Sequence, residues 1–85
     1  MKSLNLVGHS VEFLPIEGFK LTKSSYPLYK LYKYECASFS YVFFDYTHHI
    51  QLFKIVNGRF VDISEIDLEK LQSKLNQRFV MSCLN

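Results

Sequence analysis

The sequence predicts an α+β fold: an antiparallel β-meander of four to five strands with one C-terminal amphipathic helix packed on one face. Three observations predict it. The middle of the chain is rich in Tyr, Phe, Val and Ile, which fit a pleated strand surface. An Asn-Gly pair then separates two apolar runs. Beyond it, apolar residues recur every three or four positions, the period of a helix, and strands that precede helices are typical of α+β folds.

The central strands are predicted at residues 28–36, 39–46 and 50–56. Asn57 and Gly58 tolerate the positive φ angles of a type I′ turn, whose twist matches the flanking strands. This turn fixes the register of a hairpin. The predicted cross-strand pairs are Val56–Arg59, Ile55–Phe60, Lys54–Val61 and Leu52–Ile63.

Three shorter strands are predicted in the N-terminal part of the chain. Residues 1–7 place Leu4 and Leu6 on one face of a first strand. Residues 11–14 predict a second strand, which stops at Pro15 because proline has no N–H for a ladder. Residues 19–23 are predicted to form an edge strand.

The C-terminal helix is predicted to begin after Ser64, a residue type that caps helices. Glu65 and Asp67 lie in the first turn, where the helix dipole favours negative charge. The helix is expected to fray near Val80. Its apolar stripe comprises Leu68, Leu71, Leu75 and Phe79.

Length and composition indicate a single domain over residues 1–85. The chain is 48% hydrophobic, which excludes a disordered tail. Its longest apolar run, residues 41–44, is far shorter than the roughly 20 residues of a membrane span. Two cysteines, Cys36 and Cys83, make a weak disulfide framework, and the polar residues among the first ten positions lead us to expect no secretory signal. We therefore expect a cytoplasmic protein with free thiols and no membrane association.

The sequence carries no recognisable catalytic, cofactor or metal signature. His48 and His49 are adjacent, so on a strand they would point to opposite faces and could not share a metal simply. There is no Cys-x-x-Cys or His-x-x-x-His spacing, and the three glycines are too scattered to cradle a phosphate. We expect no enzymatic activity, no cofactor and no metal, with the histidines in a polar turn.

Both faces of the central strands are apolar and aromatic. Residues 39–46 place Tyr41 and Phe43 on one face, and Val42 and Phe44 on the other. One helix of about 15 residues covers roughly 22 Å of a single face. The other face is covered by the N-terminal segment, by a second copy of the chain, or by another macromolecule. An exposed apolar patch would mark an interaction site.

Lysines and tyrosines interleave between residues 19 and 35, where Lys30, Tyr32 and Tyr34 share a strand face. Lysines protect edge strands from aggregation, complement an acidic protein surface, or neutralise phosphates beside stacked bases. Nucleic acid is the less favoured partner, because the pI is 8.6 and arginine occurs only twice. The predicted partner-contact residues are Tyr29, Lys30, Tyr32, Lys33 and Tyr41.

The leading hypothesis is a non-enzymatic protein-binding module that acts by surface occlusion. Short chains with many Lys, Asn, Ile, Phe and Tyr look like AT-rich coding. By analogy with phage and mobile-element proteins, we expect an inhibitor of a host enzyme or defence nuclease. The alternatives are a single-stranded nucleic-acid binder that uses an aromatic and lysine sheet face, and a homodimer. Under the leading hypothesis, Tyr32→Ala weakens binding and leaves the melting temperature nearly unchanged.

Overall fold

The computed structural model describes residues 3–84, and the side chains of residues 3–76. The α+β prediction is confirmed: a five-stranded antiparallel sheet is followed by one C-terminal helix. The strands are β1 (Lys20–Ser25), β2 (Tyr29–Glu35), β3 (Ser40–Tyr46), β4 (Ile50–Val56) and β5 (Arg59–Asp62), and the helix is α1 (Glu65–Leu84). The strands lie side by side in chain order, as a meander requires.

The chain divides into two compact units. The sheet unit comprises residues 18–63. The helical unit combines the N-terminal segment, up to residue 17, with the chain from residue 64 onwards. The sheet unit carries the candidate site.

The β4–β5 hairpin has the predicted turn and register. Asn57 and Gly58 have φ angles of 53° and 77°, the left-handed conformation that a type I′ turn requires. The ladder contains three of the predicted pairs and adds Phe53–Asp62. It ends there, so the fourth predicted pair, Leu52–Ile63, lies one step beyond β5.

The cross-strand register separates the aromatic residues into two sets on opposite faces. We call one the buried face, because its central rings are at most 7% exposed: Tyr32, Tyr34, Tyr41 and Phe43. We call the other the aromatic face. It carries Tyr29, Phe44, Tyr46, Phe53 and Phe60, with Tyr26 contributed by the turn before β2.

The helical unit is organised by its cap and its apolar stripe. The Ser64 hydroxyl oxygen accepts a hydrogen bond from the Asp67 backbone N–H at 3.1 Å, which confirms the predicted cap. Three stripe residues are buried: Leu68, Leu71 and Leu75. The helix continues to Leu84, beyond the predicted fraying point. The side chains of Phe79 and Cys83 lie outside the described residues, whereas Cys36 is a half-buried free thiol.

Two of the three N-terminal strand predictions are wrong. The third, the edge strand at residues 19–23, corresponds to β1, which lies at the edge of the sheet. Residues 3–7 form no strand, and Val11–Phe13 is a short 3-10 helix. The Asn5 backbone bonds to a side chain instead of a strand: its N–H donates to Gln72 Oε1 at 2.6 Å, and its carbonyl accepts from Gln72 Nε2 at 3.0 Å. With both groups satisfied in this way, strand pairing offers this residue no further bonds.

Among the described residues, no helix is apolar enough over a sufficient length to cross a lipid bilayer.

Candidate functional site

The aromatic face forms a continuous network of rings across the sheet. At one end Tyr26 stacks on Tyr29, with ring centroids 4.9 Å apart. Tyr29 then contacts Tyr46 and Phe44 at 5.3 and 5.6 Å. Aromatic pairs at such separations stabilise each other beyond the apolar area that they bury.

The network continues towards β5. Phe44 meets Phe53 edge to face at 5.8 Å, and both rings approach Phe60 at just over 6 Å. The rings therefore connect the turn before β2 with β2, β3, β4 and β5. Because each ring is held by its neighbours, the surface that they present is preorganised.

The two ends of this network are its most exposed members. Tyr26 is 47% exposed and Phe60 is 58% exposed, whereas the rings between them are half-buried. On the buried face the ring of Phe43 is only 1% exposed, whereas on the aromatic face Val42 is equally buried and it is the rings that remain accessible. Side chains this apolar are normally found inside a protein. A contiguous set of them at the surface is the usual mark of an interaction site.

An open cleft of about 350 Å³ lies at one end of the sheet. The turn between β1 and β2 forms one side, and the last residues of β3 form the other. Three rings of the network line it: Tyr26, Tyr29 and Tyr46. The other lining residues are Pro27, Leu28, Lys30, Asp45 and Thr47. Its volume falls within the range of sites that bind a small ligand or a short peptide.

The opposite corner of the aromatic face is polar. Lys33 and Glu35 on β2 form an exposed ion pair with nitrogen and oxygen 3.8 Å apart. Such a surface pair stabilises a fold by at most about 1 kcal/mol. Lys20 on β1 lies directly opposite Glu35 in the register. Charged residues therefore border the rings on the β1 side, as a polar rim borders an apolar interface core.

The structure divides the five predicted contact residues. Tyr29 lies in the ring network, Lys33 lies in the polar corner, and Lys30 is exposed beside the cleft. Tyr32 and Tyr41 belong to the buried face and are 7% and 5% exposed. A partner cannot reach these two rings in this structure, so we leave them out of the contact surface.

Most of the aromatic face was not among the predicted contact residues. The missing members are Tyr26, Phe44, Tyr46, Phe53 and Phe60. One signal was present in the sequence: the Asn-Gly turn pairs Phe60 with Ile55, and β-strand alternation then places Phe53 on the same face. Exposure, however, depends on what covers each face, which strand periodicity alone does not reveal.

His48 and His49 lie in the turn between β3 and β4, where the His49 ring stacks on Tyr46 at 4.7 Å. Among the described residues, no group of three His, Cys, Asp or Glu side chains is arranged to hold a metal ion. The site therefore offers rings, a cleft and a charged border for recognition. Comparison with known protein families, curated proteins and solved structures found no match, so a function has to be argued from the chain's own residues.

Proposed function

We propose that the protein is a non-enzymatic protein-binding module whose contact surface is the aromatic face. The observation that carries this proposal is the ring network, which crosses four strands and is most exposed at its two ends, Tyr26 and Phe60. Covering these rings on a partner would remove apolar area from water, which is the main favourable term in protein association.

The chemistry of the face suits a protein partner. Tyrosine and phenylalanine are rigid, so they lose little conformational entropy when a partner covers them. Aromatic anchors surrounded by polar residues are the usual arrangement at binding hot spots. Here the rings supply the anchors, and the Lys33–Glu35 corner supplies part of the border.

Binding of single-stranded nucleic acid is the weaker candidate. Stacking requires an accessible ring face next to cations that neutralise phosphates. In residues 19–35, where lysines and tyrosines interleave, Lys30 is at the surface, but Tyr32 and Tyr34 on the same strand face are buried. On the aromatic face, Lys33 is already paired with Glu35. Lys30 also lines the cleft beside Tyr26 and Tyr29, but Asp45 lies opposite it in the register, so the cleft offers a phosphate chain no net positive charge.

The proposed mode of action is occlusion: the module covers a functional surface of its partner and performs no reaction. By analogy, an inhibitor encoded by a phage or another mobile element would act in this way. The exposed Lys20 favours acidic groups at the edge of the partner's contact surface.

A matched pair of variants on β5 tests the proposal. Phe60 is on the aromatic face and Val61 is on the opposite face, and both are exposed, at 58% and 39%. The wild-type chain is used to capture a stoichiometric partner from cells that naturally produce it, and calorimetry then gives the Kd of each variant. Phe60→Ala should weaken binding at least about tenfold, as expected for a hot-spot ring. Val61→Ala should leave the Kd within about threefold.

Three results would contradict the proposal: no stoichiometric protein partner, equal effects of the two variants, or micromolar binding of an oligonucleotide at low salt. The last is measured by fluorescence titration at two salt concentrations. True single-strand binding would show a slope near −0.7 per phosphate contact. Light scattering that shows a dimer, with Phe60→Ala restoring the monomer, would identify the partner as a second copy.

A further inference from the structure

We propose that the tyrosine cleft binds a proline-rich segment in the polyproline II conformation that carries one basic residue. This inference rests on the proposed protein-binding function and names the class of partner segment. It is carried by three properties of the cleft: the row of rings along it, the exposed apolar residues on its side, and a carboxylate that has no partner among the described side chains.

The row of rings matches the repeat of a polyproline II helix. The centroids of Tyr26, Tyr29 and Tyr46 follow one another at 4.9 and 5.3 Å. The row is therefore at most about 10 Å long, close to one three-residue turn of polyproline II at ~3.1 Å per residue. His49, stacked on Tyr46, extends it by up to 4.7 Å. Prolines at every third position would thus face the row at successive turns.

The side of the cleft suits the same ligand. Pro27 and Leu28 line it, and Leu28 is 79% exposed, so apolar rings of a ligand would find an apolar surface opposite the tyrosines. A polyproline II segment makes no internal hydrogen bonds and is already extended before it binds. Aromatic-lined grooves recognise such segments because little conformational entropy is lost on binding.

A charged residue that lines the cleft would determine the orientation in which the segment binds. Asp45 lines the cleft and is half-buried, and its carboxylate makes no hydrogen bond or ion pair within residues 3–76. Lys30 lies directly opposite it in the register and is exposed. A basic residue at one end of the ligand would complement Asp45, while the charges lining the cleft cancel and offer no net attraction to a phosphate chain.

The test uses a fluorescently labelled peptide, Arg followed by six prolines, titrated with the full chain. Saturable binding is expected, and replacing every proline by alanine should abolish it. Tyr26→Ala should weaken binding about tenfold, whereas Tyr26→Phe, which keeps the ring, should stay close to wild type. Asp45→Asn should remove the preference for this peptide over one that begins with Glu. Val61→Ala, on the other face of the sheet, is the matched control.

The proposal is overturned if the peptide shows no saturable binding up to millimolar concentration, or if the alanine peptide binds equally well. Equal binding by Tyr26→Ala would also overturn it, as would tighter binding of oligo-dT with a steep salt dependence. These outcomes are distinguishable from failure of the proposed function. If the natural partner still depends on Phe60 while the peptide does not bind, only the assignment of the cleft is lost.

Discussion

At the scale of single residues, Tyr32 and Phe60 show how one sheet separates packing from recognition. Tyr32 is 7% exposed and Phe60 is 58% exposed, although both are aromatic strand residues. The register places them on opposite faces. Tyrosine and phenylalanine both favour strands, yet these two residues have different roles. Burial, and not residue type, decides whether a ring stabilises the fold or is available to a partner.

Burial reverses the expected effect of Tyr32→Ala. The sequence predicts Tyr32 as a surface contact residue, and its replacement by alanine would then leave stability unchanged. Because the structure buries the ring, its removal should instead cost about 3 kcal/mol in the free energy of unfolding. That is a large share of the ~4–13 kcal/mol expected for 85 residues. Urea denaturation measures the loss, with the exposed Phe60→Ala as the control at under about 1 kcal/mol. Equal losses would show that the two faces are not distinguished by burial in solution.

At the scale of elements, the β4–β5 hairpin and the helix N-terminus are stabilised locally. Asn57 and Gly58 adopt positive φ angles, and Ser64 caps the helix through its hydroxyl. The turn and the cap each involve residues that are close in sequence, so neither depends on contacts with distant parts of the chain. Substitutions there should change stability by modest and separable amounts.

Gly58→Ala should destabilise the hairpin through backbone strain alone. The φ angle of Gly58 is 77°, and an added Cβ would meet no heavy atom within 4 Å. An L-residue in the left-handed region costs about 1–2 kcal/mol. Gly58→Asn should cost less, since asparagine tolerates this conformation. Thermal unfolding compares the two, and an alanine variant as stable as wild type would contradict the strain.

Ser64→Ala should lower the free energy of unfolding by about 1 kcal/mol, because the Asp67 N–H loses its acceptor. Ser64→Asp supplies a carboxylate at the same place and should retain most of the stability. Circular dichroism during urea titration follows both variants. A Ser64→Ala protein with unchanged midpoint would show that the cap contributes nothing.

The sequence predicts elements well where local chemistry decides them. Residues 50–56 and the Asn-Gly turn carry both propensity and turn signals, and the structure reproduces them. Residues 3–7 alternate in the same way over too few positions, and there the Gln72 side chain, 67 positions away, takes the Asn5 backbone bonds. A contact between residues so far apart produces no pattern of apolar and polar residues near Asn5, so the sequence alone could not predict it.

The site was less predictable than the fold for a related reason. Strand alternation correctly separates Tyr41 and Phe43 from Phe44 and Tyr46. It assigns equal apolar character to both sets, so it cannot tell which set is buried. The structure makes the distinction: Tyr32 is 7% exposed, whereas Tyr26 is 47% exposed.

At the scale of the whole molecule, long-range polar contacts matter in the helical unit. Gln72 is only 6% exposed, and its amide bonds to both backbone groups of Asn5 and to the Asn76 carboxamide. Gln72→Ala should cost about 1 kcal/mol, because the Asn5 N–H and carbonyl lose the side-chain amide that bonds to them. Hydrogen exchange at the Asn5 amide should accelerate as well. Ser73→Ala, an exposed neighbour, is the control, and unchanged Asn5 exchange would contradict the prediction.

The central claim is that the isolated chain keeps its aromatic face in water. Hydroxyl-radical footprinting with mass spectrometry measures this directly, since it reports the accessibility of individual rings. We predict rapid modification of Tyr26 and Phe60 and strong protection of Tyr32, Tyr41 and Phe43, at low and high protein concentration alike. Protection of Tyr26 and Phe60 equal to that of Phe43 in the dilute chain would contradict the claim.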